Sequence, residues 1–592
     1  MPLARAHHER LSKTTALAVF SSDALSSVAY ATEEILFVLV LAGAAAMQLA
    51  TPVSFAIAGL LVIVAVSYQQ TIHAYPSGGG AYIVARANLG TLPGLVAAAA
   101  LLTDYVLTVS VSVAAGVAAV TSAIPAVIPY RVSLGVACIA AIAFANLRGV
   151  RESGRVFAVP TYLFIATFAI LVVGGLFRLL WGEVQPLSAR PLQAAAPLTW
   201  FLVLRAFSSG CVALTGTETI SNGIPAFKPP ESRNAAITLG WMAFILASLF
   251  LGITVLASAL GAVPVQEETV VSQIARGLYG TGLFYYLVQA STAMILVLAA
   301  NSSFAGFPRL SSILARDRYA PRQFATQGDR LVFSNGVLIL GGLAALLIVL
   351  FRGETHALIP LYAVGVFISF TLSQAGMVRH WLAGRGPGWT WRLAINGVGA
   401  TVTGVVTLVI AVSKFTHGAW IIVLVIPLLV MACLTIHRHY MEVANQLSLE
   451  EYGDPPVISR HTVLVPVGDL HRGVVRALQY AKSLSPDARA VFVETDPART
   501  RKLEEKWQKW GCGVPLVVLT SPYRSLLGPF LEYLDHVQNQ RENHMVTIVL
   551  PEFIPARWWQ HLLHNQTALL IKGALLFRQN VVVTDVPYHL KR

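Results

Sequence analysis

Three carboxylates stand inside apolar runs of this 592-residue chain: Asp23 within Ser21–Ser27, Asp104 within Leu102–Ser112 and Glu218 within Ala213–Gly223. An acid at membrane depth is costly, faces protein or water rather than lipid, and marks an ion or proton pathway. Neutral oxygens accompany all three. Tyr30 follows Asp23 by seven residues, two helical turns along the same face. Tyr105, Thr108 and Ser112 share the segment of Asp104, the last two on one helical face, Thr215 precedes Glu218 by three, and Tyr362 lies in a separate apolar run. Hard cations take several oxygen ligands, and their dehydration is offset by carboxylates, hydroxyls and carbonyls. For each acid the ion-pathway role outweighs the competing one, a cap on a half-helix, whereas any one hydroxyl alone is better explained as interhelical packing. Their number around three acids carries the cation reading. Glu33 and Glu34 lie further along the segment of Asp23 and read as lining an outer vestibule.

The elements that must position these residues are membrane spans. The chain is 55% hydrophobic and 12% charged, with a mean hydropathy of +0.65, about half the charge of a soluble domain. Twelve segments hold the roughly 20 apolar residues that a span needs: 15–42, 52–74, 93–124, 131–147, 156–180, 201–225, 235–262, 281–307, 332–351, 356–378, 391–413 and 417–437. The net charge of +13 sits largely in alternate short loops, as with Arg148, Arg151 and Arg155, or Arg309, Arg316, Arg318, Arg322 and Arg330, or Arg379, Arg385 and Arg392. Such loops face the cytoplasm, so both termini are expected there, in the inner (cytoplasmic) membrane of the cell. This pattern, rather than nucleic-acid binding, explains the basic balance. Cys138, Cys211, Cys433 and Cys512 lack metal-ligand spacing, and no removable signal peptide is expected at the N-terminus.

Depth tests whether the acids can meet. Counted from the cytoplasmic ends of the first, third and sixth spans, Asp23, Asp104 and Glu218 lie eight, eleven and eight residues in. At 1.5 Å per residue these are ~12, ~16 and ~12 Å, near the middle of a core ~30 Å thick. The first and sixth spans read as interrupted: four serines and Asp23 fill Ser21–Ser27, and Thr215-Gly216-Thr217-Glu218 breaks the sixth before Asn222-Gly223-Ile224-Pro225. Paired discontinuous helices in corresponding positions point to a transporter binding site. His73 reads as interfacial rather than as a proton relay. Pro76-Ser77-Gly78-Gly79-Gly80 reads as a hinge-like loop, not a phosphate cradle, since no GKS/T follows.

After a linker over 441–459 the pattern changes. His461–Val467, Arg489–Glu494, Pro515–Thr520, Met545–Leu550 and Asn580–Thr584 read as strands, and Val474–Ser483 and Thr500–Trp510 as helices. That alternation predicts a parallel α/β domain over 460–592, following a transmembrane domain over 1–440.

The stretches SSDALSSVAYAT (Ser21–Thr32), YPSGGGAY (Tyr75–Tyr82), LTDYVLTVSVS (Leu102–Ser112), ALTGTETISNG (Ala213–Gly223) and FPRLSSILARDRYAPRQ (Phe307–Gln323) resemble those of the amino acid–polyamine–organocation (APC) superfamily. Most of all they resemble the KimA-type potassium–proton symporters of the KUP group. The resemblance implies an all-α polytopic membrane protein with a LeuT-type 5+5 inverted repeat and 12 transmembrane helices. It also implies a cytoplasmic universal-stress-protein-like α/β tail. The function implied is potassium uptake coupled to proton entry by alternating access, with no cofactor beyond the transported ions. On that likeness Asp23, Tyr30, Asp104 and Thr215 ligate potassium, Tyr105, Thr108, Ser112 and Tyr362 complete the ion pathway, and Glu218 carries the proton. The tail would pair two protomers into a homodimer, and a cyclic dinucleotide regulator is a family-level option. The segment Pro551-Glu552-Phe553-Ile554-Pro555 lacks the glycine-rich phosphate loop of nucleotide-binding stress proteins, which argues against ATP.

Two other functions compete. A proton-coupled amino-acid permease of the same superfamily would need exposed N–H groups at the first break to hold a carboxylate, but that break holds Asp23 and no glycine. A membrane-anchored sensor signalling through its tail would have no use for broken helices with midplane acids. No nucleophile elbow, zinc motif or Walker sequence points to an enzyme.

Overall fold

The structure is a computed structural model. It describes residues 10–78, 80–148, 154–182, 186–187, 194–326, 333–450, 458, 460–521, 525–540, 544–555, 560 and 566–590. Gly79, Arg151 and Arg330, and the side chain of Arg155, lie outside the described residues. The chain divides into two compact units, Met1–Gln446 and Leu447–Arg592.

In the first unit, eleven helices among the described residues are long and apolar enough to cross a membrane. A further apolar helix, Ser334–Leu350, has 17 residues. The last helix continues to Gln446. Polar N-caps fix where several begin: Ser12 accepts from the Thr15 N–H, and Thr199 from the Leu202 N–H. The third span, Thr91–Ala123, packs against the eighth, Leu283–Arg316, and the tenth, Thr355–Gly384, which places Asp104 among other helices.

Discontinuity falls in the first and sixth spans, in the first at the two edges of the serine-rich stretch. That span runs as helix Lys13–Phe20, a second helical turn Ser22–Ser26, a 3-10 turn Ser27–Ala29 and helix Ala31–Leu39. The serines bend the helix rather than unwinding it. Ser26 and Ser27 donate their hydroxyls to the carbonyls of Asp23 and Ala24, three residues back, at 2.7 and 2.6 Å. The sixth span breaks fully. Helix Trp200–Gly210 and a 3-10 turn Cys211–Leu214 give way to extended Thr215 and to Gly216 at φ +79°, before the short helix Thr219–Asn222.

The second unit is a five-stranded, wholly parallel sheet: β1 Arg460–Val467, β2 Ala488–Glu494, β3 Leu516–Thr520, β4 His544–Ile554 and β5 Val581–His589, in the order β3-β2-β1-β4-β5. Alternation sends Val463, Val465 and Val467 to one face, under helix Arg472–Leu484, and Leu464 to the other, under helix Leu527–Gln538. The segment Pro551–Ile554 extends β4 and pairs with β5 as far as Ile554 and His589. It is therefore strand, not the phosphate-loop position. Asp487 accepts from Arg489, Arg460 and Thr462. Burial opposes its charge, but these donors outweigh burial and hold the carboxyl below its ordinary range.

Candidate functional site

The two broken spans are stitched together by a parallel bridge between Leu11 and Phe227 and, deeper in, by contacts that step in opposite directions along the two segments. Leu11 donates its N–H to Ala226 O and accepts from the Lys228 N–H. Thr219 donates its hydroxyl to Phe20 O at 2.6 Å, and the rings of Phe20 and Phe227 stack at 5.6 Å. Deeper in, a Cβ on Gly216 would stand 2.8 Å from Ala24 N and 2.9 Å from Asp23 Oδ2. Ser27 Oγ then reaches Ala213 O at 3.1 Å. The single Ser27 hydroxyl proton is thus shared between Ala24 O of its own turn and Ala213 O, a carbonyl freed by the sixth-span break, and such partners let irregular backbone survive at membrane depth. Gly216 serves doubly: its left-handed φ suits glycine, and its missing side chain lets Asp23 approach.

The sequence-predicted residues converge here. Asp23, Tyr30, Asp104, Thr108, Ser112, Thr215, Glu218 and Tyr362 are all buried, and Tyr105 is half-buried. Asp23, Asp104 and Glu218 interact electrostatically with one another, so they share one site. The Tyr30 side chain lies against Thr215 and senses Asp23 and Asp104. Tyr105 senses all three acids. Thr108 donates to the Tyr362 hydroxyl at 3.0 Å, joining the third and tenth spans beside Asp23 and Asp104. Asp104 Oδ1 and Glu218 Oε2 are buried with no hydrogen-bond partner. A carboxylate so placed is neutralised by a proton or a cation. Among the described residues no group of three His, Cys, Asp or Glu has metal-holding geometry, so hydroxyl and carbonyl oxygens would supply most ligands of a cation here.

One neighbour escapes sequence reading. Tyr68, fully buried in the second span, has its hydroxyl against Ser373 and senses Glu218, Tyr105 and Asp104. Its only signal is a tyrosine in an apolar run. His73, by contrast, is exposed near the end of helix Ala50–Ala74, with Nδ1 2.7 Å from Gln69 O of the same helix. In the glycine-rich loop, Gly78 has φ +114° and a Cβ on Gly80 would meet Asn222 Oδ1 at 2.9 Å, so the loop rests on the sixth span. Glu33 and Glu34 do not join the three acids. They pair with His356.

Buried acids on stitched, discontinuous membrane helices define a secondary transporter rather than an enzyme. Residues 11–435 match the amino acid permease family, and residues 459–588 match the KimA potassium transporter C-terminal domain. The chain is 46% identical to the potassium transporter KimA of Bacillus subtilis (strain 168), over 99% of this chain and 97% of that one. It is 25% identical to the low-affinity putrescine importer PlaP of Escherichia coli (strain K12), over 46% of this chain and 61% of that one. A crystal structure of the Eremococcus coleocola manganese transporter superposes with a TM-score of 0.37 at 12% identity, covering 74% of this chain and 94% of that one. The chain belongs to the amino acid permease family of membrane transporters and, within it, to the KimA potassium transporters.

Proposed function

We propose that the protein imports potassium together with protons by alternating access. Potassium is held by Asp23, Tyr30, Asp104 and Thr215, and Tyr105, Thr108, Ser112 and Tyr362 complete its path. Glu218 carries the proton. The observation that carries this reading is the pair of unpartnered buried carboxylate oxygens on Asp104 and Glu218, groups that interact electrostatically with one another and with Asp23. Three carboxylates in one dry site repel one another unless positive charge arrives. One proton on Glu218 and one cation between Asp23 and Asp104 would leave a net single negative charge, offset by hydroxyl and backbone dipoles. An amino-acid carboxylate would add to the repulsion, which disfavours a permease role.

The same reading assigns a LeuT-type 5+5 inverted repeat with 12 spans, Ser334–Leu350 supplying the shortest. The opposite course of spans one and six, whose contacts pair Phe20 with Thr219 and Ser27 with Ala213, supports it. Residues 1–440 form the transport domain, whose last helix runs on to Gln446 within the 441–459 linker, and 460–592 a stress-protein-like regulatory domain through which two copies pair. Both termini face the cytoplasm from the inner membrane. A cyclic dinucleotide regulator is supported by a cavity of about 740 Å³ in the tail, lined by Arg472, Arg476, Lys506, His471 and Trp510, cations for phosphate and a ring for a base. Expression in a bacterium lacking potassium uptake should restore growth at low potassium. No rescue, with labelled amino-acid uptake instead, would overturn the proposal.

A further inference from the structure

The pairing of Glu33 and Glu34 with His356 has a role separate from the ion site. His356, second residue of the tenth-span helix, approaches Glu33 through Nε2 at 3.2 Å and Glu34 through Nδ1, and its ring stacks on Phe37 at 4.5 Å. Glu33 also accepts the Val270 N–H at 3.0 Å. Val270 opens the amphipathic helix Val270–Tyr279, whose first N–H groups have no partner within the helix. That helix is fastened elsewhere: the Thr269 N–H donates to Ser122 of the third span, and Ser272 shares a hydrogen bond with Tyr285 of the eighth. Behind the glutamates, Lys414 is buried with no hydrogen-bond partner for its ammonium and interacts with Glu34, beside Arg205 of the sixth span. The two carboxylates of the first span thus meet the His356 imidazole of the tenth, and Glu34 also interacts with Lys414 of the loop after the eleventh. The lack of metal-holding geometry among the described residues makes this an ion bridge, not a metal centre.

We infer that His356, bridging Glu33 and Glu34, is the latch of the outer gate. It joins the first span to the tenth and, through Glu33, to a helix anchored on the third and eighth. While closed, the cluster is close to charge-balanced and offers a cation nothing. When His356 withdraws, Glu33 and Glu34 are freed to attract an incoming cation. The vestibule role of these glutamates therefore belongs to the open state only. This inference rests on the alternating-access reading, but its test does not depend on which ion is carried.

The test is hydrogen–deuterium exchange of the full-length protein in lipid nanodiscs, following peptides over 31–42 and 270–279. His356→Ala should speed exchange there at least tenfold and leave the tail sheet unchanged, while His356→Arg, which can still bridge both acids, should stay within twofold of the native protein. Glu34→Gln, nearly isosteric, should reproduce the alanine result if His356→Ala does not fold. Exchange within twofold of native in every properly folded variant of the alanine and glutamine pair would overturn the latch. Faster exchange throughout all spans would also overturn it, because it would assign His356 a general packing role.

Discussion

Replacing Gly216 by alanine attacks the point where the two broken spans meet. The residue has φ +79°, where a side chain costs roughly 1–2 kcal/mol. Its new Cβ would stand 2.8 Å from Ala24 N and from Asp23 Cγ. Neither is the loose end of a flexible chain, and overpacking of this kind costs typically 1–3 kcal/mol. The sum, roughly 2–5 kcal/mol, falls on the conformation that brings Asp23 against the sixth span. At a factor of ten per 1.4 kcal/mol, it should weaken apparent potassium affinity by about 30-fold to several thousand-fold. The assay is rubidium uptake by potassium-starved cells over a range of external concentrations, with membrane yield and monodispersity checked in parallel. Gly59→Ala is the control, since a Cβ there meets nothing within 4 Å, and it should transport normally. Near-native affinity in Gly216→Ala would refute the view that close approach of Asp23 to the sixth-span break builds the site.

Glu218→Gln should remove the dependence of uptake on an inward proton gradient while the protein still folds; uptake that keeps its pH dependence contradicts the proton assignment. Ser27→Ala deletes the hydrogen bond to Ala213 O and should weaken apparent affinity by about 5-fold to 150-fold, since a buried carbonyl left without a donor costs about 1–3 kcal/mol; an unchanged affinity curve would show the tether to be dispensable. In the tail, the Asp487 carboxyl has a lowered pKa in the folded state. Its stabilising contribution is present above the unfolded value and is lost as pH falls through the folded one. Thermal unfolding of the tail signal should therefore weaken below about pH 4, and Asp487→Asn should flatten that decline; identical acid sensitivity in the variant would show that other groups cause it.

The spans and the three acids were readable in the sequence because membrane burial imposes long apolar runs, against which Asp23, Asp104 and Glu218 stand out. The sixth-span break was readable for a related reason: Gly216 among threonines is a local conformational signal. In the first span the interruption falls at Ser21 and again from Ser27, the two edges of the serine-rich stretch, with Ser22–Ser26 helical between them. Composition alone does not reveal whether Ser26 and Ser27 bend the helix by bonding to their own turn or leave it unwound. The β4 extension through Pro551–Ile554 was missed because Pro and Glu weaken a strand pattern that pairing with β5 restores. Tyr68 and His356 were not singled out, since their significance comes from partners hundreds of positions away or on other helices, as with Glu33 and His356. Spacing along one segment cannot report such contacts.

The central claim is that potassium and protons enter together through the site formed by Asp23, Asp104 and Glu218. It is tested most directly by reconstituting the purified protein into liposomes, imposing an inward proton gradient, and recording rubidium uptake and internal acidification at once. The account predicts that the two rise together, that each requires the other ion outside, and that Glu218→Gln uncouples them. Rubidium uptake without acidification, or no uptake while a labelled amino acid enters, would contradict it.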